Sequence, residues 1–323
     1  VSEYVFREYE PGDEDSILEL FNLVFRGPTT GVPPRTRAEW AWQFLENPGG
    51  WRMWLALHEG QVVAQQAGIG YRARVEGRPV SFSQTVDSMV HPAHRSGLKN
   101  PGLFVQTGMD YVKTYGGPRD VAFIGWPNYF GRRIGKAFLG YRIVRSQTLL
   151  GRPTPPGTTE LPAGVRRLEA FEPSVRELYD RCARDWPASI VRDELYLNWR
   201  FRDHPQHSYE LLAAEGADGT LLGYAVGRYA DWPIHHVYSI VDWLVPPDEP
   251  EVETALRAAV EAEARRHSAE AVLAMFPEWS EWFLRFQRAG YLVWPSECFF
   301  GTQVHVPEYD VDWVRWNLWV QLS

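Results

Sequence analysis

Cysteine is nearly absent from this chain: Cys182 and Cys298 are the only two in 323 residues, far apart and without a C-x-x-C pair. That argues against a zinc site and against a disulfide framework, and it fits a reducing cytoplasm. Long apolar runs are missing too. No stretch approaches the ~20 residues needed to span a bilayer, and the amino terminus shows no signal-peptide pattern. A cytoplasmic protein with no membrane partner is therefore expected. Basic charge is outnumbered, with 33 Lys and Arg against 41 Asp and Glu and a formal net charge of −8. Nucleic acid is an improbable partner for such a chain, because phosphate contacts need concentrated Lys and Arg. Apolar material is ample, at 45% of residues, which is enough for two cores. The fifteen tryptophans belong mostly in those cores, because aromatic rings bury much area.

One pattern is written twice. Val86-Asp87-Ser88-Met89-Val90-His91-Pro92 and Val241-Asp242-Trp243-Leu244-Val245-Pro246-Pro247 both read V-D-x-x-V-x-P. Trp42-Gln43-Phe44 with Pro48 matches Trp199-Arg200-Phe201 with Pro205 at the same internal spacing. Trp126-Pro127-Asn128-Tyr129 followed by Gly140-Tyr141 matches Phe276-Pro277-Glu278-Trp279 followed by Gly290-Tyr291. Three matches in one order indicate a duplicated domain of ordinary size, with a period too long for a solenoid. The Pro- and Gly-rich stretch 151–164 reads as a stiff linker. It divides a first domain, residues 1–150, from a second, residues 165–323.

Periodicity orders the elements. A strand over 4–9 precedes a helix over 15–25, where Ile17, Leu20, Phe21 and Val24 share a face. A second helix fits 37–46, and strands fit 51–58, 61–75 and 79–90. From Gly102 the spacing of Phe104, Gly108, Tyr111, Val112 and Tyr115 is helical, and 121–125 is a short buried strand. The second half repeats this order, with a helical stripe from Val252 to Val260 and a short strand over 271–276. Each half is thus an α/β domain, a mixed and partly antiparallel sheet flanked by helices.

The copies differ just beyond the repeated strand. After the first comes Ala93-His94-Arg95-Ser96-Gly97-Leu98-Lys99-Asn100-Pro101-Gly102, basic and glycine-containing. After the second comes Asp248-Glu249-Pro250-Glu251, acidic and glycine-free. A helix start offers unpaired N–H groups and the positive end of its dipole to an anion. Glycines such as Gly97 and Gly102 let backbone approach a ligand closely, and Arg95 and Lys99 add positive charge. A pyrophosphate is welcome at the first loop and repelled at the second.

The residues 90–95, then Gly102-Leu103-Phe104, then Trp126-Pro127-Asn128 and Gly140-Tyr141, resemble the GNAT superfamily of acyl-CoA-dependent N-acetyltransferases. The family's fourth strand ends in V-x-P-x-x-R and runs through a glycine loop into a helix. Here the loop between Arg95 and Gly102 departs from the usual R-x-x-G-x-G. The resemblance covers the first half from end to end and the second without its phosphate loop, so the chain looks like a tandem GNAT protein. It implies acetyl-CoA, or another acyl-CoA, as co-substrate, no metal, and a small-molecule amine or peptide amine as acceptor. The coenzyme would be held by Met89, Val90, Arg95, Ser96, Gly97, Lys99, Gly102, Leu103 and Asn128. Within that set the family's pattern assigns backbone N–H groups at Met89 and Val90 to the thioester carbonyl, a form of oxyanion stabilisation.

Asp87 is the only carboxylate on its strand and the candidate base, although its recurrence as Asp242 favours a structural role. The family's usual acid, a tyrosine four positions before Gly140, is replaced here by Lys136, which leaves Tyr129 as a substitute. His91 and His94 lack a third partner in the sequence and read as structural rather than as metal ligands. Two other functions fit part of the pattern: a non-catalytic acyl-CoA sensor or scaffold, and an aminoacyl-transferring relative that would require charged tRNA despite the net charge of −8.

Overall fold

A computed structural model describes residues 4–26, 33–95, 102–231 and 234–321. Contacts divide the chain into two compact units, Val1–Ala73 with Pro79–Arg145 and Cys298–Val314, and Arg74–Arg78 with Ser146–Glu297 and Arg315–Ser323. These are not the segments that the 151–164 linker would separate, for a reason visible in the strand pairing.

The first unit contains β1 (Val5–Glu8), α1 (Glu14–Phe25), α2 (Arg37–Phe44), β2 (Trp51–His58), β3 (Gln61–Val75), β4 (Arg78–Val90), α3 (Leu103–Tyr115), β5 (Ala122–Gly125), α4 (Tyr129–Phe138) and the start of β6 (Arg142–Pro153). One face of its sheet is closed by α1 and α2. Ile17, Leu20 and Phe21, at helical spacing, pack with Trp40 and Phe44 onto Met53, Leu55 and Met89. Thr36 starts α2 with a capping box to Glu39, the pattern T-x-x-E, which fixes the backbone just after Arg35. On α3, Tyr111 and Tyr115 pack with Phe123 of β5.

The second unit contains β7 (Val165–Leu168), α5 (Val175–Cys182), β8 (Ala188–Ile190), α6 (Glu194–Leu197), β9 (Glu210–Glu215), β10 (Leu221–Ala230), β11 (Val237–Leu244), α7 (Pro250–Arg266), β12 (Ala271–Ala274), α8 (Glu281–Arg288) and most of the residues before β13 (Leu292–Val304) ends. Its core gathers Leu256, Val260, Val272, Phe276 and Phe286.

Strand order is β1-β2-β3-β4-β5-β13 in the first unit and β7-β9-β10-β11-β12-β6 in the second. Each is mixed: β4 and β5 run parallel, as do β11 and β12, among antiparallel neighbours. The last strand of each unit comes from the other half of the sequence. Gly301–Val304 pair with Gly125–Ala122, and Leu150–Pro153 pair with Ala274–Ala271. Gly151, Arg152 and Pro153, expected in the linker, therefore finish a strand instead. Pro153 is tolerated there because it is the last residue of that strand. No helix among the described residues is long and apolar enough to cross a membrane.

Candidate active site

The two parallel strands at the centre of the first unit pair for only three residues: Phe82 with Ala122, Ser83 with Phe123 and Gln84 with Ile124. Past that point β4 continues to Val90 while β5 stops at Gly125. Two features separate them. Asp87 stands at φ 50°, a left-handed residue inside a strand, which bends β4. Trp126-Pro127 follows β5, and Pro127 has no N–H for a ladder. The resulting fork opens into a cleft of about 740 Å³.

One end of the cleft is built for an anion. Gly102, which lines it, caps α3 with its backbone extended (φ −69°, ψ 175°), and the first turn of that helix carries no acidic residue. The leading N–H groups of α3 have no partners within the helix and face any charge placed there. Arg95 lines the same end and donates through Nε to the Val90 carbonyl at 3.1 Å, and its Nη groups make no hydrogen bond among the described residues. Asn128 caps α4, accepting at Oδ1 from Gly131 N at 2.8 Å, so its amide NH₂ stays free for the cleft that it also lines. Met89, Val90 and Leu103 line the cleft as well. Ser96, Gly97 and Lys99 lie outside the described residues.

Asp87 faces the cleft, but its carboxylate is engaged. Arg35 Nη1 pairs with Oδ2, and Gln43 Nε2 donates to the same oxygen at 3.1 Å. The Arg35 guanidinium lies 3.6 Å over the Phe21 ring, and Gln65 holds the Asp87 carbonyl at 3.2 Å. Arg35 was not singled out from the sequence, yet a signal existed. It stands seven residues before Trp42, as Arg192 stands seven before Trp199. In the second unit Arg192 Nε donates to both oxygens of Asp242, at 2.9 and 3.1 Å. Both arginines directly precede a helix cap, Thr36 in one copy and Asp193 in the other. The ion pair is thus a shared element of both copies.

Tyr129 stands apart from the cleft lining. It is 57% exposed and its hydroxyl takes a hydrogen bond from Arg133 Nη1 at 3.2 Å. A different tyrosine lines the cleft: Tyr141, whose ring packs on Gly135. Burial pushes its phenol above the ordinary range, while hydrogen bonding with Thr85 and Gln66 pulls the other way. Burial thus favours the protonated phenol at the cleft wall. The sequence showed this residue in the repeated Gly140-Tyr141, but nothing local marks a packing tyrosine as facing a site.

At the corresponding place the second unit is filled. β11 and β12 pair from Val237 with Ala271 to Ile240 with Ala274, and a bulge at Val241 offsets β11 from β10. Trp243, fully buried, occupies the position of Ser88. Its ring centroid lies 5.3 Å from Phe286, 5.8 Å from Trp282 and 6.5 Å from Phe276. The helix start is closed as well. Pro250 begins α7 and lacks an N–H, Glu251 and Glu253 occupy the first turn, and Arg285 Nη2 takes the Pro247 carbonyl at 2.7 Å. Elsewhere in this unit Glu210, Glu263 and His267 converge with metal-like spacing, but Arg167 and Arg266 already pair with these carboxylates.

Residues 5–99 match the family model of the acetyltransferase (GNAT) domain. No curated protein matches the chain. Among solved structures it is similar to a probable N-acyltransferase of unknown function from Enterococcus faecalis, at TM-score 0.69 and 12% identity over 97% of this chain and 74% of that one. It is similar to a GCN5-related N-acetyltransferase from Anabaena variabilis, at TM-score 0.67 and 12% identity over 94% and 73%. N-myristoyltransferase of Saccharomyces cerevisiae, solved with bound myristoyl-CoA, matches at TM-score 0.60 and 13% identity over 99% and 89%. At such identities the likeness is one of fold, and it spans both halves. Residues 5–99 thus carry a GNAT-domain match, and the chain as a whole shares the fold of these structures.

Proposed function

We propose that the chain is an acyl-CoA-dependent N-acyltransferase, with acetyl-CoA as donor, and that its one working site is the fork of the first unit. The observation that carries this reading is the open cleft between β4 and β5, facing an acid-free helix start, where the second copy places a buried tryptophan. A pyrophosphate at α3 and Arg95 leaves the pantetheine arm to run along the unpaired edge of β4. From Val90 back to Thr85 that edge extends about 17 Å. The thioester then lies in the fork.

Attack by the amine nitrogen forms the C–N bond and puts negative charge on the carbonyl oxygen, which backbone N–H groups near Met89 and Val90 stabilise. Collapse breaks the C–S bond. The thiolate takes the Tyr141 proton and water restores it, while the proton lost by the amine passes to solvent. Asp87 is assigned a positioning role: bound to Arg35 and Gln43, it holds the bend that opens the fork rather than taking a proton. Calorimetry with acetyl-CoA, followed by thiol release in the presence of amines, tests the whole reading. Tight binding without turnover of any amine would favour a sensor.

A further inference from the structure

Resting on the acyltransferase reading, we infer that the acceptor is an amine carried on an apolar, preferably aromatic, group with no further positive charge, and that polyamines and aminoglycosides are excluded. The inference comes from charge and surface at the cleft. Of its lining residues only Asp87 and Arg95 are charged. Asp87 is already neutralised by Arg35, and Arg95 serves the anionic end. Helix α4, which contributes Phe130, Gly131 and Ile134 to the cleft, carries Arg132, Arg133 and Lys136 and no acid.

A second or third ammonium group on the acceptor therefore meets no unpaired carboxylate among the described residues that line the cleft, and it would be desolvated beside like charge. What the mouth does offer is aromatic surface. Phe25, at the end of α1, lines the cleft at 38% exposure and Phe130 lines it at 72%. With α3 committed to the coenzyme, the amine is assigned an approach between α1 and α4, past Phe25, Val86 and Phe130. Such rings recognise an apolar partner by contact, and a single neutral amine can be desolvated there at modest cost.

The test measures kcat/KM for thiol release and acylated product with acetyl-CoA and octanoyl-CoA as donors. Acceptors are 2-phenylethylamine, spermidine, kanamycin and a lysine-containing peptide. At least a tenfold preference for 2-phenylethylamine over spermidine and kanamycin is expected. Phe25→Glu, which adds a carboxylate at an exposed position, should narrow that ratio, and an unchanged ratio counts against the acceptor assignment. A preference for spermidine, kanamycin or the lysine peptide, with turnover intact, overturns the acceptor assignment alone. Failure of every amine with both donors overturns the acyltransferase reading and this inference with it.

Discussion

At one position of the repeat the first copy holds Ser88 and the second holds Trp243, and around that difference the two forks have opposite fates. In the first, β4 bends away from β5 at a left-handed Asp87 and leaves a cleft. In the second, Trp243, Trp282, Phe276 and Phe286 close on one another beside the repeated strand. The backbone strain tells the same story. A non-glycine residue in the left-handed region costs about 1–3 kcal/mol and tends to persist where a site needs the shape. Asp242, the equivalent of Asp87, is absent from the residues with positive φ. One scaffold thus leaves a cleft when its fork is open and makes a core when its fork is packed with aromatics.

The comparison can be broken in either direction. Ser88→Trp places the second copy's indole into the first copy's cleft. It should abolish measurable acetyl-CoA binding while far-UV circular dichroism and Tm change little; retained binding would mean that the ligand lies elsewhere. Trp243→Ala removes the plug from the second copy. It should cost about 3–5 kcal/mol of stability in denaturant unfolding, as large aromatic deletions do, without creating a second coenzyme site. Arg95→Glu should weaken acetyl-CoA binding by about 2 kcal/mol, roughly 30-fold, because a charge-assisted donor is replaced by repulsion. Tyr141→Phe sharpens the chemical side. A fall of about 10²-fold in kcat with the acetyl-CoA dissociation constant unchanged is expected of a lost proton donor, and a matching rise in that constant would reduce Tyr141 to packing. The smallest effect is expected from Asp248→Lys with Glu249→Lys and Glu251→Lys. Reversed charge leaves Pro250 and the aromatic plug in place, so affinity at the first site should stay as it was.

Much of this was legible in the chain. The repeat pointed to two copies, and the strand ending at Val90 and the helix opening after Gly102 were where periodicity put them. The Ser88–Trp243 difference was in plain view inside V-D-x-x-V-x-P, but a single tryptophan does not announce that it fills a gap. Arg35 was missed although its spacing to Trp42 repeats, because an arginine in a turn has no local signature of a partner 52 residues away. The exchange of β13 and β6 between units was not legible at all. Strand pairing at that separation is decided by the assembled sheet, and neither strand's own pattern names its neighbour. Tyr129 and Tyr141 show the same limit at the scale of one side chain. Their spacing to Gly140 is equally plain, and only packing decides that one faces solvent and the other the cleft.

The central claim is that a single coenzyme site exists and that it belongs to the first copy. Calorimetric titration of the whole chain with acetyl-CoA tests it most directly, run beside the Ser88→Trp variant. The account predicts one site per chain in the natural sequence and none in the variant. A stoichiometry of two, or undiminished binding to Ser88→Trp, would contradict it.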